Sequence, residues 1–125
     1  NKNMGINSTE VSYSFGQLGS MFLDGVAAAS PPTGMVFVAI TCLTDVTFDT
    51  TGGLLADTTN TANGLEYVGT DVAAHNEADG SETVVSGSVG LFVDVNNIFP
   101  KGVTIYGRWT EIDLASGTVV AYLGK

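Results

Sequence analysis

Apolar and polar positions alternate or cluster in short runs along the chain, and no stretch keeps an amphipathic helical period. Over residues 35–43, "MVFVAITCL", β-branched and aromatic residues are nearly continuous, the pattern of a strand buried on both faces. "TDVTFDTTGG" then returns to alternation and ends on two glycines. Further on, Asn63-Gly64 and Asp79-Gly80 are dipeptides that tolerate positive φ, so short strands are expected near residues 65–70 and 83–88. "GLFVDV" at 90–95 predicts another strand, with Asn96-Asn97 as its exit turn. Pro100 to Gly102 predicts a turn, residues 103–114 a long strand, Ala115-Ser116-Gly117 a second turn and residues 118–123 a returning strand. These last elements read as a C-terminal hairpin.

The N-terminal part reads differently. Residues 1–20 mix Asn, Ser and Gly with scattered apolar side chains and predict an extended arm, with Tyr13 and Phe15 as its candidate contact residues. "MFLDGVAAAS" at 21–30 predicts a loop with at most one or two helical turns before Pro31-Pro32, which cannot continue a helix. The expected organisation is an arm over 1–20 and one β-domain over 21–125. Turn signals recur roughly every eight to twelve residues, which predicts an all-β fold, an antiparallel β-sandwich or a jelly-roll-like barrel.

Composition supports that class and narrows the partners. The chain has 125 residues, 44% hydrophobic and only 14% charged, against the ~25% charged residues of an ordinary soluble chain. Thirteen acidic against four basic residues give a formal charge of −9, so phosphate backbones and anionic lipid surfaces would repel it. Neither nucleic acid nor membrane is an expected partner. The longest apolar run, residues 34–43, is far shorter than the ~20 residues that span a bilayer. No basic stretch followed by an apolar core marks a signal peptide. The single cysteine, Cys42, lies inside the core run and reads as a buried thiol, while the one histidine, His75, sits in a polar stretch.

Candidate chemistry is sparse. Arg108 and Trp109 are adjacent on a predicted strand and therefore point to opposite faces. If Val103, Ile105, Gly107 and Trp109 line the core, Thr104, Tyr106, Arg108 and Thr110 face outward. Phe37 and Trp109 are the expected core anchors. An exposed Tyr106 beside Arg108 has the composition of an interface hot spot; equally, Arg108 pairs with a carboxylate such as Glu111 or Asp113. Glu77, Asp79 and Glu82 cluster over 75–82 but do not match the calcium-loop pattern. Asp45, Asp49, Asp57, Asp94, Glu111 and Asp113 are numerous, yet nothing selects an acid and a nucleophile among them. No phosphate-loop, nucleophile-elbow or zinc motif occurs. A catalytic role, a metal and a cofactor are therefore not expected.

The stretch "FPKGVTIYGRWTEIDLASGTVVAYLGK", from Phe99 to Lys125, resembles the C-terminal part of small virion proteins of tailed bacteriophages, of marine and cyanobacterial hosts in particular. "GSMFLDGVAAASPPTGMVFVAIT" adds weaker likeness. The resemblance implies a capsid decoration, or cement, protein on the exterior of the virion. It further implies the major capsid protein as partner and a homotrimer at three-fold positions. Tyr13, Phe15, Tyr106 and Arg108 are then the interface candidates. The alternative is a carbohydrate-binding or tail-adhesin module that uses Tyr67 and Tyr106.

Overall fold

A computed structural model describes residues 17–57, 67–70 and 93–125. Every element among them is a strand: β1 Ser20–Asp24, β2 Val36–Cys42, β3 Thr47–Phe48, β4 Leu54–Ala56, β5 Thr104–Ile112, β6 Leu114–Ser116 and β7 Thr118–Gly124. The chain is all-β and antiparallel, as its patterning predicts. Five strands form one sheet in the order β1-β7-β2-β5-β4, and β3 pairs with β6 in a second.

Residues of both sheets bury a common cluster. Phe37, Ile40, Cys42, Leu54, Trp109, Ile112, Val119 and Ala121 enter it from the larger sheet, Phe48 and Leu114 from the smaller. β2 occupies the middle of the larger sheet because its continuous apolar run can be buried on both faces. A register shift between Phe37 and Ala39 breaks its alternation against both neighbours, which lets consecutive residues turn inward.

This central place for β2 replaces the expected C-terminal hairpin. β5 and β7 do not pair; β2 lies between them. The expected strand over 103–114 is broken at Asp113 into β5 and β6, and β6 turns to β3 instead. Gly117, at φ +97°, then redirects the chain into β7. Turn residues signal a change of direction but not the strand that will be the neighbour. That choice falls to the strand with the most apolar surface to cover.

The region expected as a loop or short helix at 21–30 begins with β1. Five residues cannot hold an isolated helix in water, whereas pairing with β7 satisfies their backbone from Ser20↔Tyr122 to Asp24↔Thr118. Met21 and Leu23 pack against the core cluster, while Ser20, Phe22 and Asp24 are exposed. Ser20, assigned to the arm by its composition, thus belongs to the sheet. The remainder of the expected arm up to residue 16 lies outside the described residues, as do the expected strand at 83–88 and both Asn-Gly and Asp-Gly turns.

Of the strand expected at 65–70, residues 67–70 form no strand, although Thr70 donates its N–H to Leu54 O at 2.8 Å. Within 90–95, Val93 donates to Gly69 O, and the following residues already form the exit turn, closed by Asn97 N–H to Asp94 O at 3.0 Å. The Pro100 to Gly102 turn is closed by Val103 N–H to Pro100 O at 3.2 Å, with Gly102 at φ +91°. Just before it, Phe99 and Val46 exchange backbone hydrogen bonds of 2.8 Å each, and the Phe99 ring meets Phe48 edge-on at 5.2 Å. The turn is thereby tied to the core rather than hanging from it.

Candidate functional site

The larger sheet turns one face to the core and the other outward, and the pairing registers order the outward residues into rows. Ser20, Tyr122, Ala39 and Tyr106 form one row across β1, β7, β2 and β5. Phe22, Val120, Thr41 and Thr104 form the next, with Asp24 and Thr118 beyond them. Directly opposed residues of paired strands share a face, so this is one surface of aromatic, aliphatic and hydroxyl side chains with Asp24 at one end and Arg108 beside Tyr106, and Ala39 lies buried between its neighbours. Phe22 and Tyr106 stand out from it at 65% and 64% exposure. The hydroxyls are paired within the face: Thr41 with Thr104 at 2.8 Å, and Thr118 donating to Asp24 at 3.0 Å.

The strand that carries Tyr106 is anchored in the core through Trp109. β5 alternates so that Trp109 is fully buried while Tyr106 points out, the assignment of faces read from the sequence. The Trp109 indole donates its Nε1–H to Val68 O at 2.6 Å and lies against Gly107, where a Cβ would come within 2.7 Å of the ring. Phe37, opposite Trp109 on β2, is also fully buried.

Arg108 pairs with neither Glu111 nor Asp113. Its Nε donates to Asp57 Oδ2 at 3.1 Å, and its Nη1 to the main-chain oxygen of Lys125 at 2.8 Å. Asp57 follows β4, which lies beside β5, and its N–H also bonds to Arg108 O at 2.8 Å. The Asp57 side chain is 6% exposed and that of Arg108 29%, so the ion pair compensates a buried carboxylate. Arg108 therefore fastens β4 and the chain's last strand to β5 beside Tyr106.

The other candidates are placed apart from this face. Tyr67 packs half-buried against the core cluster. Cys42 is buried, and burial pushes its thiol above the ordinary value, which keeps it protonated and unreactive. Tyr13, Phe15, His75 and the acidic cluster at 75–82 lie outside the described residues. Among the described residues no group of three or more His, Cys, Asp or Glu is placed to hold a metal ion.

Two features escaped the sequence reading. One is Phe22, hidden because its strand read as a loop; the S-M-F-L-D alternation was its only signal. The other is the meeting of Asp49 with Asp113. Burial first, and the Asp49 carboxyl beside it second, hold the Asp113 carboxyl above the usual carboxylate range. Its Oδ1 is buried and finds no hydrogen-bond partner among the described residues. A carboxyl whose folded pKa is raised favours the native state while it is protonated, below its unfolded value of about 3.9, and that contribution is lost as pH rises through the folded value. Asp113→Asn is accordingly expected to raise the melting temperature at pH 7 and to leave it nearly unchanged near pH ~3, as measured by thermal denaturation at both pH values.

No protein-family model, curated protein or solved structure matches the chain.

Proposed function

We propose that this chain is a structural binding protein of a virion, a capsid decoration or cement protein that lies on the outer surface of the assembled major capsid protein lattice and stabilises the head. The observation that carries the reading is the outer sheet face, on which Tyr106 stands 64% exposed and whose charges are Asp24 at one end and Arg108, already paired with Asp57. A rigid aromatic standing on a sheet, beside an arginine that is already paired, presents contact area at little entropic cost. The likeness of Phe99 to Lys125 to phage virion proteins supports the same reading from the sequence side, and that stretch supplies β5, β6 and β7.

The mechanism is linkage. A protein that binds the assembled shell, but not its separated subunits, shifts the equilibrium toward the shell by the free energy of its own binding. Assembly as a homotrimer at three-fold positions would let several modest contacts act together. Neither a cofactor nor nucleic acid takes part.

Binding of the purified chain to particles that lack it tests the assignment of the face. Tyr106→Ala is expected to weaken decoration by at least ~30-fold, corresponding to a hot-spot loss of about 2 kcal/mol, while the melting temperature moves by less than ~2 °C because the side chain is exposed. Unchanged occupancy of the Tyr106→Ala protein would remove this face from the contact. Attachment of either protein to glycans instead of capsids would favour the adhesin alternative.

A further inference from the structure

β1 is an end strand of the larger sheet, and among the described residues it pairs only with β7. Gly19 O accepts a hydrogen bond from Leu123 N–H at 2.9 Å, so by the alternation of an antiparallel ladder the main-chain groups of Met21 and Leu23 also turn toward β7. Those of Ser20, Phe22 and Asp24 therefore point away from β7, to the edge that no other described strand pairs with. Natural edge strands are normally blunted by lysine, proline, a bulge or an inward charge. β1 carries none of these: its register with β7 is unshifted, its sequence is SMFLD, and its one charge is Asp24 at the end.

We infer that two copies of this chain join their β1 strands antiparallel across a two-fold axis at Phe22, making one continuous sheet. Gly19 at φ +100° and Gly25 at φ +136° bound the strand on both sides, so its midpoint is Phe22. In the symmetric register Phe22 of one copy opposes Phe22 of the other, Met21 opposes Leu23, and Ser20 opposes Asp24. Each outward N–H and C=O then finds a partner. The two carboxylates stay apart, each facing a hydroxyl rather than its like, which is the favourable cross-strand arrangement. Sliding one copy by two residues would set Phe22 against Asp24 and leave backbone groups unpaired, so the full register is the preferred one.

A second observation falls at the same place. A mostly apolar, half-open cavity of about 300 Å³ lies beside β1, lined by Phe22, Leu23, Asp24, Val26, Ile112 and Leu114 among others. The symmetric register brings Met21 of the second copy alongside Leu23 and this cavity, and a flexible thioether is suited to filling an irregular apolar space. Val26, which lines it, is 68% exposed in the single chain. The pairing does not depend on the virion reading: it is an association of the free chain, whereas the homotrimer of that reading forms at the three-fold positions of the assembled shell. The pairing's contacts run along the β1 edge, whereas Tyr106 stands on β5, across β7 and β2 on the same outer face.

Each copy carries a formal charge of −9, so the two repel at long range and salt should strengthen their union by screening. Sedimentation velocity of the purified chain between about 0.05 and 0.5 M NaCl tests this. The expected result is a two-fold species whose apparent Kd falls as salt rises. Phe22→Lys, which sets two ammonium groups directly opposite each other, should weaken association by at least ~10-fold with Trp109 emission unchanged. Hydrogen-bonded antiparallel pairs hold their Cα atoms about 5.5 Å apart, within disulfide range, so oxidised Phe22→Cys should run as a covalent dimer through the introduced thiols. A parent chain monomeric at every salt, a Phe22→Lys protein that sediments as its parent does, or no covalent dimer from Phe22→Cys would each overturn the pairing. So would slow hydrogen exchange of the Ser20, Phe22 and Asp24 amides in the monomer, since the chain would then be covering its own edge.

Discussion

Trp109→Ala is expected to cost about 3 to 5 kcal/mol, the range for truncating a large buried aromatic side chain. The indole is fully buried, lies between Phe37 of β2 and Ala56 of β4 in the strand register, and satisfies its N–H on Val68 O. Its removal opens a cavity where β2, β4 and β5 meet and releases the segment that Val68 belongs to. Urea denaturation followed by circular dichroism would measure the loss. An effect below ~1 kcal/mol would mean that the β5 faces are reversed, with Tyr106 and Arg108 inside.

Gly117→Ala should cost about 2 to 6 kcal/mol, for two separable reasons. Gly117 sits at φ +97°, where a side chain costs of order 1–3 kcal/mol. A Cβ there would also overlap the main-chain oxygen of Asp45 and press on Val46, as the β6-to-β7 turn packs against the entry to β3; such overpacking adds about 1–3 kcal/mol. Gly34 and Gly102 share the positive φ but have open space where the Cβ would go. Alanine at either should therefore show the conformational cost alone, and the difference between the two classes in denaturation midpoints isolates the steric part. Equal losses at Gly34, Gly102 and Gly117 would show that the turn does not press on β3.

The features legible in the sequence are those that depend on local pattern. Phe37 and Trp109 could be placed in the core because β2 is apolar throughout and β5 alternates around Trp109. Pro100 and Gly102 marked their turn because each constrains or frees φ in a known way. What could not be read were contacts between distant parts of the chain. Arg108 finds Asp57, 51 positions away, rather than the nearby Glu111 or Asp113, because β4 lies beside β5. β1 is a strand only because β7, from the opposite end of the chain, supplies its partner; its own five residues would suit a loop equally well. The hairpin expected at the C-terminus gave way because β2 has the greater need of two neighbours. The Asp49 and Asp113 carboxyls meet only because β3 pairs with β6.

The outer face has the same origin. Tyr106 was visible as an outward residue, but the row that joins it to Ser20, Tyr122 and Ala39 exists only once four strands are in register. Phe22 enters the surface by the same route. The proposed binding role leans on that assembled surface, from which Tyr106 and Phe22 project as exposed aromatic anchors.

The most direct measurement compares particles of the parent virion with and without this chain under heating, osmotic shock and chelation. The cement reading predicts that particles lacking the chain still assemble but break at a lower temperature, and that adding the purified chain back restores their resistance. Particles equally robust without it, yet unable to attach to cells, would contradict that reading and leave the adhesin in its place.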